Sequence, residues 1–346
     1  MDKPKIHTMK ELSKAIGISR PTLARFFEDE TSVLPSTSKK IKERLEGVDY
    51  VYNFLATRQN RKSTGLIGVI VPRFEDLFFA TLLDSIEAAA RNEGFTMITQ
   101  SSHGERQFEN TAVQKLRSMN VDGAIIAPLG ADGNKDAFAS AGQDFPIVFA
   151  DSRPIDSPPH ADFVGTDNTK SIGVMVDYLC RSGEPPVYLT MPKLNSNAVE
   201  RRDAYFTKMR ALGHVGDIIP TPEGMDSWEF ERYGFEVMDA HFGQGRFVGA
   251  TILCANDRIA IGAIRAANTH GLFARNSTVA DGLRIAGHDD HPLSRYIYPA
   301  LTTVAQQVDD IGKEAVDLLI KRVRNGRDGI GVTRLLDGAL KIRESA

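Results

Sequence analysis

Apolar positions near the start of the chain recur at helical spacing. Leu12, Ala15 and Ile16 share one face, and Leu23, Phe26 and Phe27 share the next. Thr8-Met9-Lys10-Glu11 has the capping-box form that opens a helix. Gly17 sits where that helix must stop and turn. Ser19 is placed to N-cap a second helix, with Pro21 just inside it, where a missing N–H costs nothing. Pro35-Ser36-Thr37-Ser38 breaks the chain and caps a third helix, Lys39 to Leu45. Residues 50–63 are polar and basic with few apolar positions, and read as a linker with partial helical character.

The pattern changes at Leu66-Ile67-Gly68-Val69-Ile70-Val71. A continuous apolar run bounded by turn residues predicts a strand buried on both faces of a parallel sheet. Helices are then expected over 79–93, 107–119 and 136–142, alternating with strands over 95–100, 123–127 and 146–150. A second series begins near Gly165, with helices over 169–182, 200–212, 229–241 and 257–270. Its strands are expected over 186–190, 249–254 and 284–287. Such alternation predicts a doubly wound α/β body in two lobes.

A chain of 346 residues suggests two or three domains, at roughly 100–200 residues each. Charge divides it unevenly: Lys and Arg outnumber Asp and Glu by 13 to 8 in residues 1–62 and trail by 29 to 37 thereafter. A basic head on an acidic body suits an anionic polymer as the head's partner. Cys180 and Cys254 read as two buried thiols and support no disulfide framework. The first residues hold no apolar signal core, and no apolar run approaches the ~18 residues of a membrane span. The expectation is a cytoplasmic protein with no membrane partner.

Several blocks carry a resemblance. Residues 8–25, Thr8 through Arg25, are similar to the head of the lactose-repressor/galactose-repressor family, and Asp49-Tyr50-Val51-Tyr52-Asn53 resembles that family's hinge. The body adds Val164-Gly165-Thr166-Asp167-Asn168, Cys254-Ala255-Asn256-Asp257, Gly287-His288-Asp289-Asp290 and Pro299-Ala300-Leu301-Thr302-Thr303-Val304, all in family order. The resemblance implies an α/β protein with an N-terminal all-α helix-turn-helix head and a two-lobed, doubly wound parallel-sheet body of the type I periplasmic-binding-protein kind. The expected boundaries are 1–49 for the DNA-binding domain, 50–63 for the hinge and 64–346 for the effector-binding and dimerisation domain. Within the body, lobe one takes about 64–163 and 294–326, and lobe two about 164–293 and 327–346.

A recognition helix presents its first turns to base edges in the major groove. Arg20 and Arg25 fall on the second helix, and arginine is the best bidentate partner of guanine. By resemblance, Arg20 and Pro21 occupy the positions that vary the target sequence. Ser19, Thr22 and Lys39 are candidate phosphate contacts. Thr8, Tyr50, Asn53 and Ala56 complete the expected DNA-binding set. Gln59 departs from the family, which usually places there a leucine that wedges into the minor groove; a polar side chain unstacks bases less readily.

A ligand rimmed with hydroxyl groups needs Asp, Asn and Arg side chains around it and an aromatic ring against its flat face. In an open α/β sheet these come from the carboxyl ends of strands. Asp151, Asn256, Asp257 and Asp289 follow predicted strands, and Arg201 opens a predicted helix. The resemblance implies that Arg201, Asn256 and Asp289 bind the effector, with Asp151 contributing from the other lobe. It adds Asp76, Phe78 and Phe79 after the first strand, and Trp228 as a stacking aromatic. Asp257 is expected to serve as a helix cap instead, and Phe79 to belong to the core.

His288-Asp289-Asp290-His291 is not read as a metal site, because adjacent side chains of an extended chain point in opposite directions. His288 instead could donate a hydrogen bond to an effector. Gly243-Gln244-Gly245 precedes a strand, so it is no dinucleotide loop. No catalytic residue, cofactor or metal is expected. The reading is a sequence-specific repressor, a homodimer on two-fold double-stranded DNA, controlled by a sugar or sugar acid. The alternatives are a periplasmic-type sugar-binding protein, a regulator that answers to a non-sugar metabolite, and a sugar-acting enzyme.

Overall fold

The computed structural model describes residues 3–52, 63–130, 134–225, 228–273, 282–326 and 329–346. The chain forms two compact units, Met1–Thr64 and Gly65–Ala346. The hinge candidates Asn53, Ala56 and Gln59 lie outside the described residues.

The first unit runs β1 (Lys5–Ile6), α1 (Met9–Ile16), α2 (Arg20–Glu28), α3 (Pro35–Leu45) and β2 (Asp49–Tyr50). Both halves of the capping box form: Glu11 N–H donates to Thr8 Oγ1 at 3.1 Å, and Thr8 N–H to the Glu11 carboxylate at 3.2 Å. Gly17, at φ 61°, ends α1 in the left-handed conformation that glycine adopts without strain. Leu12, Ile16, Leu23, Phe26 and Ile41 are buried together, while Ala15 faces solvent. So small a core benefits from extra ties. β1 and β2 pair in parallel. The Arg44 guanidinium donates to the Ile16 carbonyl, where a helix C-terminus favours a cation. Helix α3 begins four residues before the expected Lys39. Pro35 starts the helix instead of breaking the chain, since the first helical position needs no N–H partner.

The second unit begins β3 (Leu66–Val71), α4 (Leu77–Asn92), β4 (Thr96–Ser101), α5 (Arg106–Ser118), β5 (Gly123–Ile126), α6 (Lys135–Asp144), β6 (Ile147–Ala150) and β7 (Asp162–Thr166). It continues α7 (Asn168–Ser182), β8 (Val187–Leu189), α8 (Asn197–Ala211), β9 (Ile218–Ile219), α9 (Phe230–Gly243), β10 (Thr251–Cys254), α10 (Asp257–Thr269) and β11 (Arg284–Ala286). It ends β12 (Thr303–Ala305), α11 (Val308–Asn325), β13 (Thr333–Leu336) and β14 (Ala339–Lys341).

Two parallel sheets result, of order β13-β7-β6-β5-β3-β4 and β11-β10-β8-β9. Every residue of β3 is buried, as its unbroken apolar run requires. β12 and β14 form a separate antiparallel pair, and single bridges join Ala286 to Thr302 and Asp289 to Ala305.

The lobe boundaries differ from expectation in three places. β7 pairs with β6 and β13, so residues 164–166, expected to open lobe two, belong to the first sheet. β13 pairs with β7 along its whole length, so residues 333–336 belong to the first sheet and not to the second lobe. Residues 294–302 stay with the second sheet: Ser294 donates to Asp257 at 2.6 Å, and Thr302 bridges Ala286. An edge strand's choice of partner is not written in its own hydrophobic pattern.

Candidate functional site: an inter-lobe cleft and an arginine-bearing helix

Strand ends from both sheets converge on one cleft. The loop after β3 supplies Asp76, the first turn of α4 supplies Phe78, the segments just after β6, β10 and β11 supply Asp151, Asn256 and Asp289, and α8 supplies Arg201. All of these, with Trp228, line one cavity of about 40 Å³, room for a few waters at most. A groove of about 360 Å³ opens beside it and shares Phe78, Asp289 and Gln306 with it.

Arg201 is the electrostatic centre. Its buried guanidinium donates to Asp289 Oδ1 at 3.0 Å, to Asn168 Oδ1 at 3.0 Å and to the Ala255 carbonyl at 2.8 Å. Asp289 also accepts from Gln306 Nε2 at 2.7 Å. Burial opposes the ionisation of Asp289, but Arg201, His288 and Gln306 outweigh it and hold its carboxyl below the usual range. Its backbone sits at φ 129°, and that of Asp151 at φ 65°. Both are costly for a non-glycine residue and persist only where surrounding bonds impose them.

His288 does not face a ligand. It is fully buried, with Nδ1 3.0 Å from Asp289 Oδ1 and Nε2 2.8 Å from Ser171 Oγ. Burial and the nearby Arg201 charge lower its pKa to about 4. The neutral ring satisfies both neighbours by donating to Asp289 and accepting from Ser171. It therefore orients Asp289 rather than donating to an effector. The rest of that tetrad disperses: Asp290 pairs with Arg343 at 2.5 Å, and His291 Nδ1 caps the Leu293 N–H. Among the described residues no His/Cys/Asp/Glu group is arranged to hold a metal ion.

The helix cap expected of Asp257 falls to its neighbour. Asn256 is the N-cap of α10, its Oδ1 accepting the Ile259 N–H at 2.8 Å, and it also lines the cavity. Asp257 is buried behind the cleft, where it accepts from Ser294 and Thr303 hydroxyls and the His291 N–H. Asp76 is also committed. Oδ1 caps α4 through the Phe78 N–H, and Oδ2 takes Arg258 Nη1 at 2.8 Å from the other lobe. Asp151 keeps one neutral partner, Asn197 Nδ2 at 3.1 Å.

Aromatic rings close one wall. Trp228 packs edge-to-face against Phe79 and Phe230 at 6.3 and 5.5 Å. Gly104, at φ 75°, makes room for it: a Cβ there would lie 2.4 Å from the indole. Phe79 is core, as expected, while Phe78 is half-buried at the rim. Sequence reasoning missed Asn195, Asn197, Arg258 and Gln306. All four lie in loops or at helix starts, where polar residues carry no periodic signal. Further ties span the lobes, from the Gly130 N–H to the Leu194 carbonyl and from the Arg153 N–H to Ser196 Oγ.

In the first unit, Arg20, Pro21 and Arg25 are exposed on α2, and Lys39 is exposed on α3. The Ser19 and Thr22 hydroxyls bond each other at 2.7 Å, and the Ser19 and Thr8 hydroxyls also cap their helices. Tyr50 packs on Phe27 at 5.8 Å, and Tyr52 stacks on the same ring at 4.7 Å.

A profile described as "Periplasmic binding protein-like domain" matches residues 176–346. The chain is similar to the "HTH-type transcriptional repressor PurR" of Histophilus somni (strain 129Pt), 25% identical over 317 residues, covering 91% of this chain and 92% of that one. It is similar to the "Ribose operon repressor" of Escherichia coli (strain K12), 23% identical over 319 residues, covering 91% and 93%. Over more than nine-tenths of its length the chain is similar to transcription repressors of the kind its sequence blocks resemble. It is a transcription regulator and not an enzyme. The fold agrees: a crystal structure of the lac repressor dimer bound to operator and an anti-inducer superimposes with a TM-score of 0.80 at 22% identity, covering 99% of each chain. The body presents a polar cleft, and the head presents an exposed arginine-bearing helix. No described helix is long and apolar enough to cross a membrane.

Proposed function

We propose that the protein is a homodimeric transcription repressor whose affinity for a two-fold operator is set by a sugar or sugar-like effector bound in the inter-lobe cleft. The observation that carries this is the convergence of Arg201 from a helix and of Asp289, Asp151 and Asn256 from three strand ends on one buried cavity walled by Trp228 and Phe78. Such a mixture of fixed polar groups and an aromatic wall suits a ligand with hydroxyl edges and apolar faces. Arg20 and Arg25 on α2 are the proposed base-reading side chains, and Lys39 a phosphate contact. Exposed apolar side chains on the body, among them Phe74, Leu77, Phe108, Leu293, Tyr296 and Tyr298, are the proposed dimer face. The site of action is the cytoplasm, where the operator is.

The lobes open to admit the effector, because the cavity between them has room for a few waters at most, and closing on it biases which dimer geometry is populated; operator affinity follows as a coupling free energy between two sites. The direct experiment is fluorescence anisotropy of a labelled promoter fragment titrated with the full chain, with and without a sugar panel. The expected result is salt-dependent, sequence-selective binding that at least one sugar shifts severalfold. Absence of any DNA preference at low salt, with every metabolite tried, refutes the proposal.

A further inference from the structure

The charges around the cleft do not balance. Asp76, Asp151 and Asp289 face it, against Arg201 and Arg258. Both guanidiniums are already matched, Arg201 by Asp289 at 3.0 Å, and Arg258 by Asp76 at 2.8 Å and by Glu231 at 2.7 Å. Among the described residues Asp151 has no ion-pair partner, only the neutral Asn197 amide. Burial pushes its carboxyl up to about 7; Arg201 opposes the rise, and Asp289 and Asp76 add to it. An entering carboxylate or phosphate would leave water for a site whose two guanidiniums are already matched, and an unpaired buried charge is strongly disfavoured.

Hydrogen-bond chemistry points the same way. Among the described residues the Trp228 indole N–H and the Asn195 side-chain oxygen are buried with no partner, and each residue is only 5% exposed. Both residues line the cavity. An orphan donor and an orphan acceptor together call for a group that accepts and donates. A hydroxyl does both, and an amine supplies the donor. An ionised carboxylate or phosphate only accepts, and would leave the Asn195 oxygen unmatched.

We propose that this cleft takes uncharged or amine-bearing polyols and refuses their counterparts that carry a carboxylate or phosphate. The inference rests on reading the cleft as the effector site. Matched sets test it on the full chain by thermal shift and then calorimetry: ribose, xylose, glucose, galactose and cellobiose, their aldonic acids, their phosphate esters, and glucosamine and galactosamine. The expected result is that at least one parent sugar or amine binds, and that its acid and phosphate bind at least about tenfold more weakly. Asp151→Asn should narrow that gap severalfold. An acid or phosphate that binds as tightly as its parent overturns the proposal while leaving the effector site standing. An unchanged gap in a folded Asp151→Asn protein also overturns it, and if that variant does not fold, the wild-type comparison decides alone. If nothing in the panel binds, the effector-site reading falls and takes the proposal with it.

Discussion

Replacing Arg201 by methionine probes the centre of the cleft. The wild-type guanidinium makes three hydrogen bonds, to Asp289, Asn168 and Ala255. Methionine keeps the stem's bulk and removes the charge, leaving Asp289 buried with only Gln306 and His288 beside it. Breaking a buried pair by removing one partner costs about 3–5 kcal/mol, because the surviving charge is stranded. That is a large share of the ~5–15 kcal/mol that holds a typical domain folded. The double variant Arg201→Met/Asp289→Asn removes the stranded charge too. It should recover at least ~1 kcal/mol, and the rest of the loss reflects the unmatched Asn168 and Ala255 oxygens. Urea unfolding followed by tryptophan fluorescence reads this cleanly, since Trp228 is the only tryptophan and lies in the second unit. Both variants should lose their effector response while operator affinity without effector stays within a few fold. A single variant within ~1 kcal/mol of wild type, or a double variant less stable than the single, refutes the argument.

Three further outcomes are expected. Asp151 has a folded pKa of about 7, above its unfolded value, so it is protonated in both states at low pH and opposes folding increasingly as pH rises from its unfolded pKa to about 7. Asp151→Asn should therefore be more stable than wild type at pH 8, an advantage that vanishes near pH 4 in urea titrations at each pH. Gly104→Ala places a methyl against the indole at a left-handed backbone position; it should destabilise by about 1–3 kcal/mol and shift the Trp228 emission maximum, and an unchanged spectrum would count against that contact. Arg25→Ala should weaken operator binding by about 1–3 kcal/mol in anisotropy titrations, with effector binding to the body unchanged by calorimetry.

Much of this molecule was legible in local pattern. The capping box at Thr8, the glycine stop at Gly17 and the Pro21 start placed the first two head helices to within a residue, because each is set by bonds within one turn. The unbroken run at Leu66–Val71 announced a strand buried on both faces, and the later alternation announced a parallel sheet. Arg201, Asn256, Asp289 and Asp151 were nameable because they stand at strand ends or helix starts inside blocks that resemble one family.

The remainder depended on partners distant in sequence. Whether Asp257 or Asn256 caps α10 was decided by Ser294 and Thr303, which surround the former. That His288 serves Asp289 and not a ligand followed from Ser171, 117 residues away. The edge position of β13 was settled by β7, and the unused state of Asp151 by a count of charges drawn from both lobes. Short-range order depends on steric and hydrogen-bonding preferences within a few residues, which any stretch of sequence carries. Pairing, burial and charge balance depend on what folding brings alongside, and only the packed lobes supply that.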